Sequence, residues 1–163
     1  MQIKVRSLML GPVQTNCYIV SNEETHEAII FDPGDQPERV KRLIDKYELK
    51  PVAIMLTHGH FDHIMAVPDL IAEYGIPLYA NEKEKEILGN VRYNSSDMLG
   101  RPFVITDANW VKDGDFLTIG GMDIKVIWTP GHTIGGTCYY FEEQGILIAG
   151  DTLFQMSVGR TDF

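Results

Sequence analysis

Val52-Ala53-Ile54-Met55-Leu56-Thr57-His58-Gly59-His60-Phe61-Asp62-His63 begins as a continuous apolar run and ends as a cluster of potential metal ligands. Such an apolar run predicts a strand buried on both faces. The histidines then fall at the carboxyl end of that strand, where a rigid scaffold carries its functional loops. Residues i and i+2 at a strand end point to the same side, so His58 and His60 can present imidazoles to one ion. Gly59 gives the backbone between them room to bend. Asp62 and His63 lie where the chain turns into a helix and can face a second ion. Zinc and related ions favour these imidazole and carboxylate ligands. Taken singly, each is a polar loop side chain, and Asp62 is a helix N-cap. Three histidines and an aspartate brought together read as a metal site instead, because imidazolium cations packed this closely repel one another.

Outward from this stretch, Ile3, Val5 and Ser7 alternate with Lys4 and Arg6 and run into Leu8-Met9-Leu10, the pattern of a half-buried strand. Cys17-Tyr18-Ile19-Val20 and Ala28-Ile29-Ile30-Phe31 predict two more strands, joined by the polar turn Ser21-Asn22-Glu23-Glu24. Asp32-Pro33-Gly34-Asp35 is a turn leading into a helix over 37–47, with Val40, Leu43 and Ile44 on its apolar face. A helix over 64–74 follows the histidine cluster and stops at Gly75. Leu78-Tyr79-Ala80 is a short strand, 82–88 a short, charged, solvated helix, and 90–107 a surface loop. The remainder is strand-rich, with segments at Phe116 to Ile119, Met122 to Trp128, Thr137 to Phe141 and Gly145 to Ala149. Gly120-Gly121 forms a hairpin turn between the first pair. Alternating strands and helices followed by a strand meander predict a sandwich of two sheets with outer helices.

The 163 residues suit one domain, and 44% hydrophobic with 23% charged residues is an ordinary globular balance. A net charge of −9 makes a nucleic-acid backbone a poor partner. No apolar run approaches a membrane span, and the first residues lack the apolar core of a signal peptide. Cys17 and Cys138 sit far apart in apolar runs and read as buried, reduced thiols, which points to the cytoplasm.

Two later features complete the pattern. In Thr129-Pro130-Gly131-His132-Thr133 the Pro-Gly turn displays His132, and in Ile148-Ala149-Gly150-Asp151-Thr152 Asp151 ends an apolar strand. Alone, His132 reads as a loop histidine and Asp151 as a cap or turn residue. Both fall at strand ends, as the first cluster does.

The order His-x-His-x-Asp-His, then Pro-Gly-His-Thr, then Gly-Asp resembles the metallo-β-lactamase superfamily. The likeness covers nearly the whole chain and rests on Asp32-Pro33-Gly34, Thr57 to His63, Pro130 to Thr133 and Gly150-Asp151-Thr152-Leu153-Phe154. The last of these, with Gly159-Arg160-Thr161-Asp162-Phe163, looks most like the glyoxalase II (hydroxyacylglutathione hydrolase) group and its short bacterial relatives. The resemblance implies one domain over 1–163 with an α/β architecture, an αββα sandwich of two mixed β-sheets flanked by helices. It implies two divalent ions, zinc first, with iron or manganese as substitutes. His58, His60 and His132 would hold the first ion, Asp62 and His63 would begin the second site, and Asp151 would bridge the two. Asp32 would orient a ligand histidine; from the residues alone it reads equally as a turn aspartate before proline.

One departure stands out. The family pattern supplies a further histidine to the second metal, downstream of Gly-Arg-Thr-Asp, whereas this sequence ends at Phe163 and its remaining histidine, His26, lies in a polar turn. The expectation is that the C-terminal part of the fold, including the segment that binds thiols in glyoxalase II, lies beyond Phe163.

The implied activity is hydrolysis of a small-molecule thioester, such as a hydroxyacyl-glutathione, by a water whose pKa the metals bring to about 7. Asp62 would orient the attacking hydroxide, and Arg160 would attract a carboxylate of the thiol. Two alternatives accompany this reading. One is a persulfide dioxygenase with a single iron on His58, His132 and Asp151; the other is an incomplete metal-binding domain without turnover.

Overall fold

In the computed structural model of the chain, the structure describes residues 1–150 and the backbone of Leu153–Phe154 and Ser157–Val158. Strands β1 (Ile3–Leu10), β2 (Thr15–Asn22), β3 (Glu27–Phe31), β4 (Lys50–Met55), β5 (Leu78–Asn81) and β6 (Asn109–Val111) form one sheet in that order. Pairing is antiparallel from β1 to β3 and parallel from β3 to β6, so this sheet is mixed. Strands β7 (Phe116–Ile119), β8 (Met122–Trp128), β9 (Thr137–Phe141) and β10 (Ile146–Ile148) form a second sheet, ordered β10-β9-β8-β7. Its described pairings are all antiparallel. Leu153–Phe154 and Ser157–Val158, β11 and β12, pair as a separate antiparallel ribbon.

The apolar run of β4 is explained by its two faces. Ile54, and Leu56 just beyond the strand, pack with Ile19 and Ile30 under α1 (Pro37–Lys46) and α2 (Val67–Tyr74), against Val40, Ile44 and Leu70. Ala53 and Met55 face the other way, with Val20, Ile29 and Phe31, onto Met122, Ile124, Val126, Tyr139 and Phe141 of the second sheet. Side chains alternate across a strand, so one continuous apolar string serves two cores. The layering is helices, mixed sheet, antiparallel sheet.

Local chemistry sets the element ends. Pro37 opens α1, and Gly75 closes α2 in the left-handed conformation at φ 62° while its N–H donates to Ile71 O at 2.8 Å. Gly120 and Gly121, with φ 59° and 72°, make the tight turn that puts Ile119 opposite Met122. Positive φ at both positions is the hairpin geometry whose twist matches the strands.

Three expectations change. The helix after the histidines starts at Val67, not at residue 64. Met65 N and Ala66 N donate instead to Gly34 O and Pro33 O, which docks this turn on the loop after β3. Residues 90–107 are less of a surface loop than their weak periodicity suggests. Asn94 and Ser96 are buried, Asn94 Nδ2 donates to Phe103 O at 2.8 Å, and Asn94 O accepts from Phe61 N at 2.7 Å. Strand β6 was not foreseen; three residues carry no readable period.

Among the described residues no helix is long and apolar enough to cross a membrane. Cys17 and Cys138 are both free and buried.

Tyr139 stitches the second sheet to the first. Its ring lies 5.5 Å from that of Phe31, and its buried hydroxyl donates to Leu56 O at 2.7 Å. Tyr139→Phe keeps the ring and removes the donor to a buried carbonyl, so urea unfolding should show a loss of about 1–3 kcal/mol.

Candidate metal centre

The loop after β3 and the loop after β4 meet at the carboxyl ends of the parallel strands. Asp32, fully buried, adopts φ 53°, a left-handed conformation that aspartate tolerates better than most residues. From there Oδ1 accepts from Thr57 N at 2.8 Å and Oδ2 from Thr57 Oγ1 at 2.6 Å. The same Oδ2 lies 3.0 Å from His63 Nδ1. One carboxylate thus fixes both ends of the histidine segment. Gly34 lies so close to this segment that a Cβ on it would overlap Asp62 O.

Asp62 is the middle residue of the 3-10 turn Phe61–His63, and its Oδ2 accepts from Thr15 Oγ1 at 2.8 Å. The Asp62 carboxylate stands 3.4 Å from His63 Nε2. His132 arrives from the turn between β8 and β9, and its Nε2 lies 3.1 Å from His60 Nδ1. Two nitrogens at about 2.0 Å from one tetrahedral ion are separated by roughly 3.3 Å, close to that spacing. The ring of His58 is 3.9 Å from that of His63, 4.6 Å from His132 and 5.1 Å from His60, centroid to centroid.

The donors fall into two overlapping groups. His58, His60 and His132 offer ligand atoms within 4.8 Å of one another, and so do His58, Asp62 and His63. His58 therefore belongs to both, whereas the spacing of the sequence suggested it only for the first. Burial, followed by the neighbouring charges of His63, His60 and His132, holds the His58 imidazole well below its ordinary pKa. A neutral imidazole is the form that binds metal. Nitrogen and carboxylate donors in this arrangement fit a divalent zinc, iron or manganese ion.

The model of the metallo-β-lactamase superfamily matches residues 10–163. The chain belongs to that superfamily. A probable metallo-hydrolase of Bacillus subtilis, YqgX, is 37% identical over 162 residues, covering 98% of this chain and 76% of the relative. The hydroxyacylglutathione hydrolase GloC of Haemophilus influenzae is 32% identical over 154 residues, covering 92% of this chain and 72% of the relative. Among solved structures, the B3 metallo-β-lactamase BLEG-1 superposes with a TM-score of 0.88 at 40% identity, over 98% of this chain and 77% of that one. The protein TTHA1623, in a di-iron-bound form, superposes with a TM-score of 0.83 at 33% identity, over 97% and 77% of the two chains. The metallo-β-lactamase fold binds divalent metals, and this membership marks the chain as a metal-dependent hydrolase.

Of the sequence-read residues, His58, His60, Asp62, His63 and His132 converge, and Asp32 sits behind them. Asp151 and Arg160 lie outside the described residues. Gly150, just before Asp151, has φ 55° and packs so closely that a Cβ would overlap Thr57 Oγ1.

Two site residues escaped the sequence. Thr15 carries no signal beyond a strand position. Glu84 lies in the charged stretch expected to be solvated, yet it is buried, at 1% exposure. Its one distinguishing mark is Leu88, four residues on and therefore on the same helical face. Gly59 also has a different role from the one expected. A Cβ there would meet Leu88 Cδ2 at 2.8 Å and Glu84 Oε2 at 3.1 Å, so the glycine provides closeness rather than a bend.

Asp32→Ala removes the acceptor for two buried Thr57 donors and puts a side chain unsuited to positive φ at the end of β3. Each buried donor left unsatisfied costs about 1–3 kcal/mol, so the variant should melt well below the parent in a thermal scan. An unchanged melting temperature would mean that Thr57 finds another partner.

Proposed function

We propose that residues 1–163 form one metallo-β-lactamase-like domain that hydrolyses small-molecule thioesters of the hydroxyacyl-glutathione type. The observation that carries this reading is the pair of overlapping donor groups sharing His58, a set suited to two adjacent cations. The thioester specificity draws its support from the likeness to GloC and from the Gly-Asp-Thr-Leu-Phe and Gly-Arg-Thr-Asp-Phe segments.

In this reading His58, His60 and His132 would hold one ion, and Asp62, His63 and Asp151 would serve the second. Zinc is the favoured metal. Bound there, such ions supply a water ionised near neutral pH and polarise a carbonyl oxygen. The chain's own residues do the positioning. Thr15 fixes the rotation of the Asp62 carboxylate, which orients the attacking oxygen. Asp32 holds the His63 ring through Nδ1, leaving Nε2 on the side of Asp62. A small cavity beside Asp62, lined in part by Leu10, Val13, Phe61 and Met65, has room for about one water molecule. The Arg101–Asp35 ion pair, 2.8 Å long, forms part of its rim. Arg160 would meet a carboxylate of the thiol. The leaving thiolate needs little acid assistance.

No cysteine nucleophile is available among the described residues. Burial pushes the Cys17 thiol up first, with a further push from the Asp32 charge, and burial also raises Cys138. Buried protonated thiols are inert. Hydrolysis of a lactam is the second reading, favoured by the 40% identity to BLEG-1. It uses the same donors on a different carbonyl.

The test is turnover of S-lactoylglutathione and of a chromogenic cephalosporin by the metal-loaded chain, with metal counted per chain. Thioester cleavage that stops on chelation and returns with zinc is the expected result. Asp62→Ala should then lower kcat/KM by about a hundredfold, the usual cost of a misplaced reacting group. Lactam cleavage without thioester cleavage would replace the substrate assignment. One iron per chain with oxygen uptake on glutathione persulfide would overturn the hydrolytic reading, and metal uptake without turnover on any of these would leave a binding domain.

A further inference from the structure

Glu84 sits on the turn between β5 and α3 (Lys85–Leu88), and its two carboxylate oxygens reach two different loops. Oε2 accepts from Gly59 N at 2.8 Å, the amide between His58 and His60. Oε1 accepts from Thr133 Oγ1 at 2.6 Å and from Gly135 N at 2.8 Å, on the loop that carries His132. The seat is closed by backbone as well. A Cβ on Gly135 would lie 2.6 Å from Glu84 N, so the second loop rests directly on the main chain of this turn. Thr137 N donates to Thr57 O at 2.9 Å and reinforces the same junction.

A buried carboxylate is a poor choice for stability alone. Desolvation works against its charge and raises the Glu84 pKa above the ordinary range, opposed by the bonds from Thr133, Gly135 and Gly59. An apolar side chain here would leave the Gly59 N–H, the Thr133 hydroxyl and the Gly135 N–H without their acceptor. What an apolar side chain lacks is a rigid pair of acceptors facing two loops at once. Hydrogen bonds to an ionised acceptor are also shorter and stronger than neutral ones.

We propose that Glu84 is a positioning residue whose carboxylate clasps the loop of His58 and His60 to the loop of His132 and so sets the spacing of the three imidazoles for one ion. The inference rests on the metal reading of those histidines given above. It makes a specific demand of glutamine. A carboxamide has one acceptor oxygen, so Glu84→Gln can satisfy the Gly59 side or the Thr133 and Gly135 side, and presents its amide donors to the other.

The experiment loads the whole chain with cobalt(II) as a probe and follows the d–d absorption bands and the affinity by chelator competition, beside thermal melting of the metal-free chain. Glu84→Gln should weaken cobalt binding on the order of ten- to a hundred-fold, the effect of losing a group that orients ligands, and should shift the bands. Thr133→Val, which deletes a single hydroxyl, should show the same shift in smaller measure, and Thr133→Ser should restore the parent spectrum. Glu86→Gln, at an exposed position two residues on in α3, should match the parent. A Glu84→Gln chain that melts lower but keeps the parent bands and affinity would make Glu84 merely structural and overturn the inference. Should that variant fail to fold, Thr133→Val decides: bands and affinity identical to Thr133→Ser overturn it. A parent chain that takes up no cobalt overturns the metal reading and this inference with it.

Discussion

The Asp32 carboxylate is the constraint on which the rest of the site depends. It is buried without a neighbouring lysine or arginine among its described contacts, and its partners are the amide and hydroxyl of Thr57 and the ring of His63. Those bonds can form only when β3 and β4 are in parallel register and the turn after His63 has folded back. The register brings Phe31 opposite Met55, which places Asp32 and Thr57 just past the paired ends. The core beneath and the loop above are therefore one problem, since slipping a strand by a residue would exchange the helix-facing and sheet-facing side chains and carry Asp32 away from Thr57.

The second sheet enters through the same junction. Tyr139 reaches Leu56 O and Thr137 N reaches Thr57 O, so the last residue of the apolar run and the first of the ligand loop are each held from the opposite layer. Asn81 Nδ2 donates to Thr137 Oγ1 at 2.9 Å, tying the end of β5 to the start of β9. Polar bonds join the two sheets at the end where the histidines lie, Asn22 Nδ2 donates to Gly120 O at 3.0 Å at the other end, and apolar packing fills the interface between them.

Much of this was legible in the sequence because it is written in local pattern. Residues 52–56 announce a strand buried on both faces, Gly120-Gly121 a tight hairpin, and the spacing of His58, His60, Asp62 and His63 a ligand cluster. The pieces that escaped depend on contacts between distant segments. Apart from its spacing to Leu88, Glu84 reads like Glu82 and Glu86 until Gly59 and Gly135 close over it. Asn94 looks like loop until Phe61 uses its carbonyl. Residues 64–66 have helical character, yet the amides of Met65 and Ala66 are taken by Gly34 and Pro33. In each case a tertiary hydrogen bond overrides a local preference, and a one-dimensional reading has no access to it.

Gly34, Gly59, Gly135 and Gly150 each face a neighbouring segment with no space for a methyl group. Gly34 and Gly135 press on main chain, and Gly59 and Gly150 press on the side chains of Leu88, Glu84 and Thr57, like pages pressed together. Its ligand geometry is consequently not portable. A designer who moved the histidine loop alone into another scaffold would carry the donors but leave behind the neighbouring segments they lean on. The transferable unit is the set of facing segments, spread from residue 32 to residue 150.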